Sequence, residues 1–191
     1  RCLEAHPPPG RLLLCGITGA HQYGFPSADS DLDIKGIQQL PTVTLLGLHA
    51  PVETYNATIR FEGTECDVTC NEVRPALALL LAGNGNMLER IQSPFQLLQT
   101  EEASRLRDLA CGAISKRFHR HYAGFFRRMC FEHERSQFAS AKTLLYVYRV
   151  ALTGVHLLGS RQMETDVTVL SVLYGFSEVR ELVAFKVAQG E

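Results

Sequence analysis

Net charge is almost missing from this chain: 19 Lys and Arg against 20 Asp and Glu leave −1 over 191 residues. No global field therefore recruits nucleic acid or an anionic membrane, so any patch for a polyanion has to be local. Long apolar runs are missing too. The longest, such as Leu77 to Ala82, fall far short of a membrane span, and the start Arg1-Cys2-Leu3-Glu4-Ala5-His6 has no signal-peptide pattern. The expected location is cytoplasmic, with no membrane partner. Regular cysteine spacing is a third absence. The six cysteines, at 2, 15, 66, 70, 111 and 130, form no CxxC, which points to reduced and mostly buried thiols. Cys66 and Cys70 are four apart, but no His or Cys lies near to complete a zinc site. Repeats and low-complexity segments are also lacking. What remains is 46% hydrophobic, enough for one large domain or two small ones with real cores.

The stretch Leu13 to Gly36 organises the rest. Leu12 to Ile17 is a short apolar run ending in Thr-Gly, which predicts a strand buried on both faces, with His6-Pro-Pro-Pro-Gly10 as an extended lead-in and order beginning at Arg11. A glycine turn follows, in which Gly19 and Gly24 can bring backbone N–H groups close to a phosphate. After the loop Tyr23 to Ser30, Asp31 to Ile37 reads as a second strand, with Asp31 and Asp33 on one face and Leu32 and Ile34 on the other. A short helical turn over 42–48 precedes two β-like runs, 53–61 and 64–70, joined by Glu62-Gly63 as a hairpin. In the second run Glu65, Asp67 and Thr69 share a face opposite Cys66, Val68 and Cys70, so Asp67 can join the pair at 31 and 33.

From Asn71 the period becomes helical. Asn71 is a candidate N-cap for a helix over 72–82 with Gly83 just past its end, and Asn84-Gly85-Asn86 opens the next turn. Thr100 caps a helix over 101–115, long helices are expected over 116–134 and 137–159, and Ser177 caps a last one to about Ala188. The reading is a βα-type front half and an all-helical back half, divided near 95–100.

Two divalent ions about 4 Å apart on a phosphate need several carboxylates converging on one point, with positions left open for substrate oxygens. Asp31, Asp33 and Asp67 can supply them. An EF-hand reading of Asp29-x-Asp31-x-Asp33 fails, because Ile34 stands where glycine is needed and Leu40 where glutamate is needed. A haloacid-type phosphatase would place the acids at the end of an apolar strand, whereas Ser-Ala-Asp-Ser precedes them here. A polar turn with solvated acids is the plain alternative.

Two cationic stripes stand out among the helices. Lys142, Tyr146, Arg149, Thr153 and His156 fall within an arc of about 80° on an otherwise apolar helix with no acids among them, which suggests a surface facing a triphosphate or else a solvent stripe. Lys116, Arg120 and Arg127 align beside Arg117, His121 and Arg128, over an apolar face of Phe118, Tyr122, Phe125 and Met129. This second stripe can hold a polyanionic acceptor such as RNA, or be a solvated face.

Gly19-Ala20, the spacer His21 to Ser30, Asp31-Leu32-Asp33 and the later Asp67 resemble the DNA-polymerase-beta-like nucleotidyltransferase superfamily. More narrowly, Gly19 to Gly24 with Phe25-Pro-Ser, Ser30-Asp-Leu-Asp, Asn86-Met-Leu-Glu89 and Leu145-Tyr-Val-Tyr-Arg149 are similar to bacterial predicted nucleotidyltransferases of the RNA-repair type. The resemblance implies an α/β (α+β) fold: a small mixed sheet with flanking helices over 1–98, then a C-terminal helical bundle over 99–191 that closes the nucleotide cleft. It implies transfer of a nucleoside monophosphate from an NTP to an acceptor hydroxyl, which RNA could offer, with release of pyrophosphate. Asp31, Asp33 and Asp67 would be the catalytic residues and would hold Mg²⁺ or Mn²⁺. Gly19, Ala20, Ser30, Lys142 and Arg149 would serve the phosphates, with Tyr146, Asn86 and Glu89 lining the cleft. Ala20 stands where that family usually has serine, which should weaken triphosphate binding without abolishing it. A nucleotide-binding sensor with no turnover is the rival, and a two-metal nuclease a more distant one.

Overall fold

The computed structural model describes residues 2–135 and 140–189. The first secondary element is the helix α1 (Cys2–Ala5), which precedes the expected start of order at Arg11 because Cys2 and Leu3 pack onto the sheet. Four strands follow: β1 (Arg11–Ile17), β2 (Leu32–Gln39), β3 (Thr54–Phe61) and β4 (Thr64–Glu72), with short helices α2 (Gly19–Tyr23) and α3 (Thr42–Leu45) in the connections. The fold is mixed α/β. Strand order is β1-β2-β4-β3, antiparallel at both edges and parallel between β2 and β4.

The hairpin at Glu62-Gly63 forms through positive φ at both residues, 51° and 86°, the twist that suits a two-residue turn between antiparallel strands. It carries β3 to the sheet edge and leaves β4 beside β2. Cys66, Val68 and Cys70 are buried on one face of β4, as period two predicts, and join Cys15, Ile34 and Ile59 in a core under α1. Asp67 and Thr69 take the opposite face.

Seven helices complete the described chain: α4 (Val73–Leu81), α5 (Gly85–Gln92), α6 (Glu101–Ala113), α7 (Phe118–Arg135), α8 (Ala141–Ser160), α9 (Val167–Tyr174) and α10 (Glu178–Gln189). Asn71 is not the cap of α4. It stays in β4, registered with Ile37 and Thr54, and the Glu72 carboxylate accepts from the Arg74 N–H instead. Gly83 and Asn84 close α4 by donating their N–H groups to Leu80 and Leu79 carbonyls, a Schellman ending. Asn84 caps α5, and Thr100 caps α6 as expected. Lys116 lies in the turn before α7, outside the helix expected to carry it. The expected start of α8 at 137 lies outside the described residues, and α9, capped by Asp166, falls where no helix was expected.

Two further cores tie the front of the chain to the helices. The larger contains Leu14 and Ile37 of the sheet with Leu80, Leu88, Ile91, Phe118 and Leu157 of the helices; truncating any one such Leu or Ile to alanine costs about 2–5 kcal/mol. The other puts Ala20 and Phe25, from the β1–β2 connection, among Leu145, Leu152, Val167, Leu170 and Val179. The glycine turn is thus seated in the C-terminal helices. Among the described residues no helix is long and apolar enough to cross a membrane.

Candidate functional site

Parallel pairing sets the carboxylates. Asp33 of β2 and Asp67 of β4 are register partners, so the two carboxylates stand on the same face of neighbouring strands, about 5 Å apart at the backbone. Thr58 of β3, the register partner of Asp67 on the other side, donates its hydroxyl to Asp67 Oδ1 at 2.7 Å. Asp31 is exposed and lies one residue before β2, not in it. Its charge and that of Asp67 both reach the Cys66 thiol, which is held above the usual thiol range first by burial and then by Cys2.

The glycine turn closes on Asp33 from β1. Thr18 donates its N–H to the Asp33 carbonyl at 2.8 Å, and Gly19 follows with φ +66°. A Cβ at Gly19 would lie 2.1 Å from Asp33 Oδ2, so both the backbone angle and the space demand glycine. Ala20 points its methyl group into the apolar core of α8, α9 and α10.

Beside this corner is a cleft of about 280 Å³. Of the expected residues it gathers Gly19, Asp33, Asn86, Glu89, Tyr146 and Arg149; Asp31, Asp67, Ala20, Ser30 and Lys142 are not in its lining. Asp67 stands beside the cleft as the strand neighbour of Asp33. Ser30 is buried in its loop, its hydroxyl engaged by the Ser27 N–H at 3.0 Å and by Lys186 Nζ at 3.4 Å.

Sequence reasoning missed Thr18, Gln22, Tyr23, Lys35, Arg90 and Phe125, which also line the cleft. Lys35 was within reach, since period two along β2 puts it on the face of Asp33. Its ammonium sits 2.9 Å from Asp33 Oδ1 and 3.4 Å from the Thr69 hydroxyl. Arg90 anchors on the Gly36 carbonyl at 3.2 Å and on Asn71 Oδ1; burial pushes its guanidinium below the ordinary value, partly countered by Cys70, Cys15 and Tyr23.

The helical end of the cleft is a buried ion pair in an aromatic box. Arg149 donates to Glu89 Oε1 at 2.8 Å, with side chains only 1% and 3% exposed. Tyr122 donates to the same oxygen at 2.9 Å and Tyr23 to Oε2 at 3.2 Å, while Gln22 Nε2 reaches the Glu89 carbonyl. The Arg149 guanidinium lies 4.0 Å from the Tyr23 ring centroid, with Phe125 and Tyr146 beyond. Burial pulls Arg149 down, but Glu89 and the tyrosines outweigh it and hold its pKa above the ordinary value. Burial, then Glu89, pushes both Tyr23 and Tyr122 up, so they stay neutral donors. The stripe expected on α8 therefore does not act as one cationic face: Arg149 pairs with Glu89, Thr153 is fully buried and His156 lies against the Tyr174 hydroxyl.

No cluster of three or more His, Cys, Asp or Glu side chains able to hold a metal ion occurs among the described residues. The donor set nonetheless suits Mg²⁺, which takes one or two carboxylates and fills its remaining positions with water and substrate phosphate oxygens. Asp33 and Asp67 offer that pair, with Asp33 Oδ2 seated against Gly19 in the space a Cβ would take.

The model of the RNA repair pathway DNA polymerase beta family matches residues 4–191. An uncharacterized protein of Methanocaldococcus jannaschii is 27% identical over 153 residues, 78% of this chain and 61% of that protein. The chain thus spans less than two thirds of that relative's length. A nucleotidyltransferase-like protein from Exiguobacterium sibiricum superposes at a TM-score of 0.37 with 12% identity, covering 97% of this chain and 72% of that one.

Proposed function

The chain belongs to the RNA repair pathway DNA polymerase beta family, and from that premise we propose that it is a metal-dependent nucleotidyltransferase moving a nucleoside monophosphate from an NTP to an acceptor hydroxyl. The observation that carries the reading is the register partnership of Asp33 and Asp67 at the mouth of a cleft opened by the Gly19 turn. Mg²⁺ or Mn²⁺ held by Asp31, Asp33 and Asp67 would neutralise charge on the transferred phosphate.

The chain's own residues do the rest. Asp67, with Oδ1 fixed by Thr58, presents its other oxygen to take the proton of the acceptor hydroxyl. That hydroxyl oxygen bonds to the α-phosphorus, the bond from the α-phosphorus to the bridging oxygen breaks, and pyrophosphate leaves with the electron pair. The Gly19 backbone, Lys35 and Arg90 receive phosphate oxygens along the cleft wall. Glu89 holds Arg149 and Tyr23 so that the wall does not rearrange when charge enters. Ser30 and Lys142 are not part of that wall. Lys116, Arg120 and Arg127, all exposed, offer a landing face for an RNA acceptor.

A nucleotide-binding module without turnover is the second reading. The Lys35–Asp33 ion pair favours it, because an ammonium already neutralises the carboxylate that a metal ion would need. Incubation with Mg²⁺ and labelled NTPs, with and without RNA, separates the two. Pyrophosphate release with label incorporated into an acceptor supports transfer; nucleotide binding with no pyrophosphate under every acceptor tried supports the binding module.

A further inference from the structure

A lysine is buried 159 residues downstream of the loop it touches. Lys186 of α10 is 3% exposed, and its Nζ donates to Ser27 Oγ at 2.7 Å and to Ser30 Oγ at 3.4 Å. Burying an ammonium is costly, so a lysine is kept in such a place by the bonds it makes there. Two of its bonds go to a loop turned on itself: Ser27 donates its N–H to Ser30 Oγ at 3.0 Å, Ser30 returns its N–H to the Ser27 carbonyl at 3.1 Å, and the two hydroxyls lie 3.0 Å apart. Ser30 directly precedes Asp31. The same connection is gripped twice more from the C-terminal half, by Thr165 Oγ1 donating to the Gln22 carbonyl at 3.3 Å and by Asp166 against Gly24. Gly24 has φ +86°, and a Cβ there would lie 2.1 Å from Asp166 Oδ1. Phe25, between these grips, is fully buried among α8, α9 and α10.

We propose that Lys186 is the positioning residue of the loop that carries Asp31, so that α10 sets the carboxylate end of the cleft from behind. Lys186 does not line the cleft and has no contact with substrate to offer; it acts through Ser27 and Ser30. What Asp31 then does rests on the nucleotidyltransferase reading, but the mechanical claim does not.

Lys186→Met and Ser27→Ala, singly and together in the full chain, test it by amide hydrogen exchange and Mn²⁺ titration. Exchange over 26–33 should quicken at least about tenfold in Lys186→Met, the fold-change for one lost charge-assisted hydrogen bond where two are lost, with 86–92 unchanged. Mn²⁺ affinity should fall by a similar factor while metal-free nucleotide affinity holds. The double variant should fall short of the sum of the two single effects, because the changes share the Lys186–Ser27 link. A lysine that merely stabilises α10 would instead quicken exchange over 178–189 and leave 26–33 at the wild-type rate, and that result overturns the proposal, as do additive effects. Should Lys186→Met fail to fold, Lys186→Gln, which keeps a donor without the charge, decides by the same exchange measurement. If the wild type binds no Mn²⁺, the nucleotidyltransferase reading falls, while exchange over 26–33 still judges Lys186.

Discussion

The two ends of the cleft are built on opposite principles. At the sheet end, Asp33 and Lys35 pair with side chains 36% and 23% exposed, where water can enter and charges can change partners. At the helical end, Glu89 and Arg149 pair with almost no exposure, each further held by tyrosines. An exposed pair contributes little stability, whereas breaking a buried one leaves an uncompensated charge in a poor dielectric. The contrast assigns exchange of ligands to the sheet end and shape to the helical end. Substitutions at the two ends should therefore separate chemistry from stability.

The largest expected effect falls on chemistry alone. Asp67→Asn keeps the oxygen that accepts from Thr58, so unfolding should change by no more than about 0.5 kcal/mol. Transfer should drop by about 10²–10⁴-fold, the range for losing a positioned proton acceptor. Unchanged pyrophosphate release in that variant would remove Asp67 from the mechanism.

Arg149→Met probes the other end. It strands Glu89 in the aromatic box and should cost about 3–5 kcal/mol in urea unfolding. Adding Glu89→Gln should return much of that loss, since no buried charge then lacks a partner. A cost under about 1 kcal/mol for the single change would dissolve the contrast between the ends.

The same two ends differ in how far they could be read from sequence. Period two along 31–37 and 64–70 was enough to put Asp33 and Asp67 on polar faces opposite Ile34 and Val68. That the two strands would be parallel neighbours was not, because it depends on β3 swinging out to the edge through the Glu62-Gly63 turn. Lys35 was legible by the same alternation and was passed over in favour of the acids. The helical end hid better. Glu89 and Arg149 were each expected at the cleft, but they are 60 residues apart and nothing local reveals that they neutralise each other. The arc on α8 looked like a cationic face because spacing reports direction, not partners. Asn71 shows a similar override: a good cap by residue type, it stays extended because Ile37 and Thr54 hold it in the sheet.

A smaller effect comes from His121, on the α7 side of the box. Its buried Nε2 has no hydrogen-bond partner among the described residues, and it packs against Gly85, Tyr122 and Phe125. Burial, helped by Arg149 and opposed by Glu89, holds its pKa below the ordinary 6.5. The unfolded chain therefore takes up a proton first as pH falls, and the folded state loses stability below pH 6.5 while gaining none from this group above it. Urea midpoints measured from pH 7.5 down to 5 should decline less steeply in His121→Phe than in the wild type. Parallel declines would mean that the imidazole takes a proton equally well in both states.

The smallest effect has an unusual sign and decides most about the sheet end. Lys35 holds Asp33 with an ammonium at 2.9 Å, on the carboxylate that a divalent ion would use. An ion entering there must displace the ammonium, so part of its binding free energy is spent on a pair worth about 1 kcal/mol or less at this exposure. Lys35→Met should then tighten Mn²⁺ binding in the absence of nucleotide by a few-fold, as followed by electron paramagnetic resonance. The same change should weaken NTP binding in the presence of metal, because the displaced ammonium no longer meets a phosphate oxygen. If both affinities fall together, Lys35 is a strut for the Asp33 carboxylate rather than its exchangeable counter-ion, and the sheet end is as rigid as the helical one. If Mn²⁺ binds tighter and the nucleotide is unaffected, Lys35 only restrains the metal, and the binding-module reading gains its strongest support.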